Sequence, residues 1–154
     1  TGVEVGIGSN GRKNRGGHQM EALVEEHLKN ACVEYYKEMY LTEIENKWNI
    51  DLSAVSAKGT STKRWDFVVK TKSKIFVIET NFYASSGSKL NETARSYKMI
   101  AEEAKEIPNF EFVWITDGAG WKDAKRNLEE TFIVLENLYN ITDMENGIFN
   151  RIFK

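Results

Sequence analysis

At 154 residues the chain is long enough for one domain with a buried core. A hydrophobic content of 41% and a charged content of 29% predict a soluble, cytoplasmic globular protein, and neither a membrane-spanning apolar run nor a signal-peptide pattern is present. The single cysteine, Cys32, excludes an internal disulfide framework and a cysteine-rich zinc site, and a net charge of −2 is not the global signature of a nucleic-acid binder.

Residues 1–17 are glycine-rich and polar and read as a loop or extended arm. No GxxxxGK[ST] occurs there, which argues against a phosphate loop. Arg12, Lys13 and Arg15 form a compact basic group with Asn14 among them. From His18 to about Tyr40, apolar residues recur at spacings of three and four (Met20, Leu23, Val24, His27, Leu28, Ala31, Tyr35), which predicts one helix. Glu21 lies at the border of that stripe, with Glu25 one turn on, and His27 falls inside it as a packed histidine. Residues 41–63 are weakly patterned: Trp48, Ile50, Leu52 and Val55 suggest a short strand or irregular packing, followed by a loop.

The clearest pattern is RWDFVVKTKSKIFVIETN, Arg64 to Asn81. Two short Val/Ile/Phe-rich runs flank a Lys-Thr-Lys-Ser-Lys turn, which predicts a β-hairpin. Alternation then places Ile75, Val77, Glu79 and Asn81 on one face of the second strand. Lys58, Lys63, Arg64, Lys70, Lys72 and Lys74 crowd around the hairpin, while acids gather on the later helices. Two basic patches on an acidic body suit a protein that grips phosphate, although a solvated charged surface reads the same way.

Beyond the hairpin, ASSGS (Ala84–Ser88) predicts a loop and Lys89–Glu106 a helix ended by Pro108 and Asn109. Phe110–Thr116 reads as a buried strand, and Asp117–Gly120 as a turn. Trp121, Ala124, Leu128, Phe132, Leu135 and Leu138 mark a second long helix, and the tail from Asn140 is short and poorly patterned. Trp65, Trp114 and Trp121 read as core or interface residues. The order helix, hairpin, helix, strand, helix predicts a single α/β domain over residues 1–154, with a mixed β-sheet and helices on both faces.

The hairpin brings Asp66, near the start of its first strand, beside Glu79, near the end of its second. Two carboxylates at one end of an apolar hairpin repel unless a cation lies between them. A divalent-metal site follows as the functional reading, against the bland one of a turn aspartate and a salt-bridged glutamate. Mg²⁺ needs only one or two protein carboxylates. Asp66 and Glu79 would supply them, the Thr80 carbonyl a further oxygen, and Glu21 or Glu25 a contribution from the first helix. Metal-assisted phosphodiester hydrolysis needs such a centre.

The same run resembles the active-site hairpin of PD-(D/E)XK nucleases. Three further stretches, TGVEVGIGSNGRKNRGGHQMEALVE, ETNFYASSGSKLNETARSYKMIAEEAKEIPNFEFVWITDGAGW and NLEETFIVLENLYNITD, are similar to the DpnII/MboI-type family of type II restriction endonucleases. The resemblance covers nearly the whole chain. It implies a restriction-endonuclease-like core in a prokaryotic protein, and Mg²⁺-dependent cleavage of double-stranded DNA at GATC that leaves 5′-phosphates. It also implies inhibition by adenine methylation and a companion adenine methyltransferase in the host. Matched by position, Asp66 and Glu79 are the metal-binding acids and Glu21 the helix-borne acid.

Asn81 departs from the motif, standing where the superfamily usually has lysine. An amide is neither a cation nor a base at neutral pH. Water activation then falls to metal, to substrate phosphate or to a lysine elsewhere, with Lys98 and Lys89 as candidates. Proteins of this family carry a further N-terminal region, and the chain starts almost at its GVEVG segment, so the expectation is the catalytic domain alone. For DNA contact the expected groups are Arg12, Lys13, Asn14 and Arg15, then Ser86, Ser88, Lys89 and Asn91, then Arg95. Arg and Asn can read base edges, whereas Lys mostly meets phosphate. A palindromic target implies a homodimer. The alternatives are a catalytically impaired DNA-binding module and a structure-specific repair or junction nuclease of the same fold.

Overall fold

The computed structural model describes residues 19–55, 63–85, 87–122 and 133–154. Helix α1, Met20–Asn30, forms where Met20, Val24 and Leu28 recur at helical spacing, and all three are buried. It does not continue to Tyr40 as the apolar spacing predicts. Cys32 takes a left-handed φ of 57°, and Glu34–Tyr40 follows as strand β1. Tyr35 prolonged the three-four stripe only by coincidence of register.

Helix α2, Leu41–Trp48, occupies a stretch that the sequence left as strand or irregular packing. Its start is capped by the Glu43 carboxylate, which accepts from the Tyr40 N–H at 2.9 Å, and Asn49 ends it at a left-handed φ of 50°. A 3-10 turn at Ser53–Val55 follows.

Strands β2 (Arg64–Lys70) and β3 (Ile75–Phe82) form the predicted hairpin, joined through Thr71 and Lys74. Helix α3, Ser88–Ala104, buries Leu90, Ala94, Ala101 and Ala104, and β4, Phe110–Asp117, matches the predicted buried strand. Much of the predicted second long helix lies outside the described residues. At its expected end, Leu138–Tyr139 is instead a short strand, β5, because it pairs with Trp114 and Ile115. The tail folds into two short helices, α4 (Ile141–Glu145) and α5 (Ile148–Ile152). Among the described residues no helix is long and apolar enough to cross a membrane.

The five strands form one mixed sheet in the order β1-β2-β3-β4-β5. The first two pairings are antiparallel and the last two parallel. Alternation along β3 splits the core between the two faces. Ile75 and Val77 join a cluster with residues of α2 and α3, including Leu41, Ile44, Leu90 and Ala94. Phe76 and Ile78 join another with Met20, Val24 and Leu28 of α1 and Met144, Phe149 and Phe153 of the tail. The predicted arrangement of helices on both faces is therefore present.

A turn locks the ends of β3 and β4 together. The Tyr83 N–H donates to the Asp117 carbonyl at 2.8 Å, and the Gly120 N–H donates back to the Tyr83 carbonyl at 2.9 Å. Gly118 fits between them at a φ of 121°, where a Cβ would lie 2.0 Å from the Tyr83 oxygen. Gly118→Ala should therefore lower stability by roughly 2–4 kcal/mol, combining a disfavoured φ with a backbone clash. Urea unfolding checks this, with Gly87→Ala as the mild comparison because no atom lies within 4 Å of a Cβ built there.

Candidate active site

The β2–β3 ladder runs from Lys70↔Ile75 to Phe67↔Ile78 and stops one position before Asp66 and Glu79. The β1–β2 ladder also skips Asp66, between Lys37↔Phe67 and Met39↔Trp65, and the facing Glu38 has a left-handed φ of 55°. Strand β2 turns over there. Trp65 and Phe67 should share a face, yet Trp65 enters the α3-side cluster and Phe67 the α1-side cluster. Irregular strands re-aim side chains, and β2 does so at Asp66, whereas β3 keeps its regular pairing with β4 through Glu79.

The carboxylates replace the missing ladder bonds. Asp66 Oδ2 accepts from the Thr80 N–H at 2.9 Å, and Glu79 Oε2 accepts from the Asp66 N–H at 3.2 Å. Thr80 Oγ1 lies 3.4 Å from the same Asp66 oxygen. Glu79 is 3% exposed. Its other oxygen, Oε1, is ion-paired with Lys63 Nζ and accepts from the Tyr97 hydroxyl at 3.4 Å. Burial, then the charge of Asp66, push the Glu79 carboxyl up to about 7, with Lys63 pulling the other way. Burial and the same two acids raise the Tyr97 phenol, which stays protonated and donates.

Asn81 lies on the Glu79 face, as predicted, but its Oδ1 accepts from the buried Trp114 indole N–H at 2.9 Å. Tyr97 stacks edge-on against Trp114, with centroids 4.8 Å apart. An open cleft of about 750 Å³ adjoins this point, and its walls include Asn81, Tyr83, Ser88, Lys89 and Tyr97. Two predicted DNA-contacting residues, Ser88 and Lys89, thus share the cleft with Asn81 and with Tyr97, the partner of Glu79.

Other predicted residues are less directly placed. Glu21 and Glu25 are on α1, whose buried residues pack on the face opposite Tyr97. Glu25 accepts from Tyr35 at 2.7 Å and from Lys37 at 3.1 Å, which accounts for its lowered pKa. Among the described residues, no hydrogen bond or ion pair links Lys98 or Lys89 to Asp66 or Glu79. Arg95 is exposed on α3, and the buried Asn91 Oδ1 has no hydrogen-bond partner among the described residues. Arg12, Lys13, Asn14, Arg15 and Ser86 lie outside the described residues. His27 packs as expected, edge-on to Phe149 at 6.4 Å.

Of the basic cluster around the hairpin, Lys58 lies outside the described residues and three members take acidic partners. Lys74 pairs with Glu111, Arg64 lies 3.7 Å from Glu38, and Lys63 turns toward Glu79. In the sequence Lys63 reads only as part of that patch, and Tyr97 falls inside the predicted Lys89–Glu106 helix. A lysine three residues before the aspartate was the available signal for the first.

As a metal site the donor set is lean. Among the described residues no group of three or more His, Cys, Asp or Glu side chains is placed to hold an ion. Two carboxylates, one buried and electrostatically disfavoured as an anion, fit a hard divalent cation that keeps several waters. They do not fit a closed zinc site.

The pattern of the DpnII restriction endonuclease family matches residues 1–151. The chain is 54% identical over 156 residues to the type II restriction enzyme DpnII of Streptococcus pneumoniae, covering 99% of the chain and 54% of that protein. It is 44% identical over 147 residues to the type II restriction enzyme MboI of Moraxella bovis, covering 96% and 50%. A third relative, the type II restriction enzyme MjaIII of Methanocaldococcus jannaschii, is 36% identical over 159 residues, covering 98% and 53%. The chain thus spans about half the length of these curated relatives. No solved structure matches it significantly.

Two outcomes follow from this geometry. A glutamate whose folded pKa is raised from 4.5 to about 7 binds a proton more tightly folded than unfolded, so its contribution to stability is present below pH 4.5 and lost as pH rises through 7. Denaturation in EDTA should find Glu79→Gln about as stable as wild type at pH 4.5 and more stable at pH 8, by roughly 3 kcal/mol. Equal stability differences at both pH values would contradict the raised pKa. Asn81→Ala strands the Trp114 N–H and should cost about 1–3 kcal/mol at either pH in the same measurement.

Proposed function

The chain belongs to the DpnII restriction endonuclease family, and on that premise we propose that it hydrolyses double-stranded DNA at GATC in a Mg²⁺-dependent reaction blocked by adenine methylation. The observation that carries this reading is the Asp66–Glu79 pair, set at a break in the sheet and beside an open cleft.

Asp66, Glu79 and the Thr80 carbonyl would hold the metal. When bound, Mg²⁺ supplies charge for a non-bridging phosphate oxygen and lowers the pKa of a coordinated water. The protein's own groups set the stage. The Thr80 and Asp66 N–H groups fix one oxygen of each carboxylate. Tyr97 donates to Glu79 and fills the space on the α3 side, which keeps bulk water from that carboxylate. In the net reaction, water oxygen bonds to phosphorus and the P–O3′ bond breaks. One product carries the 5′-phosphate, and the other takes a proton on its 3′-hydroxyl.

Ser88 and Lys89 on the cleft, with Asn91 and Arg95 further along α3, fit the approach of the DNA backbone. Arg12, Lys13, Asn14, Arg15 and Ser86 complete the proposed contact set. Glu21 is proposed as an acid contributed from α1 and Lys98 as a further cation. A palindromic site calls for a homodimer, each copy cutting one strand, and methylation-sensitive cleavage calls for a host adenine methyltransferase.

One observation favours a second reading. With Asn81 in the motif's lysine position and tied to Trp114, the chain could be a DNA-binding module without cleavage. Plasmid bearing GATC sites separates the two. The nuclease reading expects discrete fragments in Mg²⁺, none in EDTA and none from adenine-methylated plasmid. Asp66→Ala should lower the rate on the order of 10³-fold or more with folding intact. Binding in EDTA with no cleavage in Mg²⁺ would instead establish the module.

A further inference from the structure

We propose that Lys63 is a catalytic lysine of this site, supplying the cation that Asn81 does not, from three residues before Asp66 instead of two after Glu79. The inference rests on the nuclease reading above and deepens it.

The lysine is placed by its surroundings. Its carbonyl accepts from the Leu41 N–H at 3.0 Å, which anchors its backbone at the start of α2. Its Nζ pairs with Glu79 Oε1. The ammonium also lies 5.1 Å from the Trp65 ring centroid and 5.8 Å from that of Tyr97. Trp65 is fixed in the core and Tyr97 is packed against Phe112 and Trp114, so two rigid aromatic faces flank the charge.

Exposure separates the partners. The Lys63 side chain is 30% exposed and that of Glu79 is 4% exposed, so the lysine joins the buried carboxylate to the accessible side of the site. Asn81 cannot take this part, because it is neutral and its oxygen is held by Trp114. In the reaction the Lys63 ammonium donates a hydrogen bond to a non-bridging oxygen of the scissile phosphate. It offsets the negative charge that grows as water oxygen bonds to phosphorus and P–O3′ breaks. The proton leaving water and the proton reaching O3′ both bypass it.

The test is single-turnover cleavage of a GATC duplex in Mg²⁺ by wild type, Lys63→Ala, Lys63→Arg and Asp66→Ala. Duplex affinity in Ca²⁺ and thermal unfolding are measured beside it. Lys63→Ala should slow the chemical step about 100-fold or more while Ca²⁺-supported affinity stays within about threefold of wild type. Lys63→Arg, which keeps the charge, should recover about tenfold of that loss. Cleavage by Lys63→Ala within about threefold of wild type, while Asp66→Ala is inactive, would overturn the role of Lys63 and leave the nuclease reading standing. A Lys63→Ala defect that tracks lost folding or lost affinity, with no recovery by arginine, would also overturn it as a merely structural effect. A wild type that binds the duplex without cutting it would overturn both readings.

Discussion

The site depends on a local failure of β-pairing. Asp66 falls in register with Glu38 on one side and Glu79 on the other, and neither pair completes its ladder. Strand edges inside a sheet do not normally leave such groups unpaired. Here the two carboxylates take the backbone donors instead, Asp66 from Thr80 and Glu79 from Asp66. The exchange puts the buried Glu79 carboxylate beside the half-buried Asp66 carboxylate. Lys63 and the Tyr97 hydroxyl offset part of that cost on Glu79. The remainder is stored as a carboxyl that ionises only reluctantly.

The surrounding layers hold that arrangement in place. Parallel pairing sets Trp114 directly beside Glu79 and Thr116 beside Asn81. The indole then holds Asn81, and Trp121 closes the row by donating to Thr116 at 2.9 Å. Helix α3 lays Tyr97 across this row. A chain of aromatic side chains from Phe112 through Tyr97 and Trp114 to Trp121 thus forms the wall behind the carboxylates. Large, stiff rings with few rotatable bonds suit that position, because a site this strained tolerates little motion behind it.

How far all this was legible depends on the range of the interaction. The hairpin, the burial of β4 and the extent of α3 are written in short-range patterns, and the chain obeys them. The proximity of Asp66 and Glu79 was readable because a hairpin makes distant sequence positions neighbours by local geometry alone. Strand β1 was not, because Glu34–Tyr40 carries no clean alternation and Tyr35 extended the stripe of the preceding helix. The break at Cys32 is a backbone conformation without a glycine to announce it. Helix α2 hid for a similar reason: its cap is made by Glu43, three residues in, behind a tyrosine instead of a serine or aspartate. The engagement of Asn81 required knowing that Trp114, 33 residues later, lies on the adjacent parallel strand. Lys63 required knowing where a segment outside the hairpin pairing would aim its side chain.

The two outer strands of the sheet carry a consequence for how such a molecule meets copies of itself. Strand β5 is only two residues long, and β1 is studded with Glu34, Lys37 and Glu38 and kinked where Glu38 turns left-handed. Short length, charge and a kink are the devices by which proteins keep a sheet from growing laterally. Neither margin is a template for continuing the sheet into a neighbour. Among the described residues, lateral growth of the sheet is thereby disfavoured at both margins.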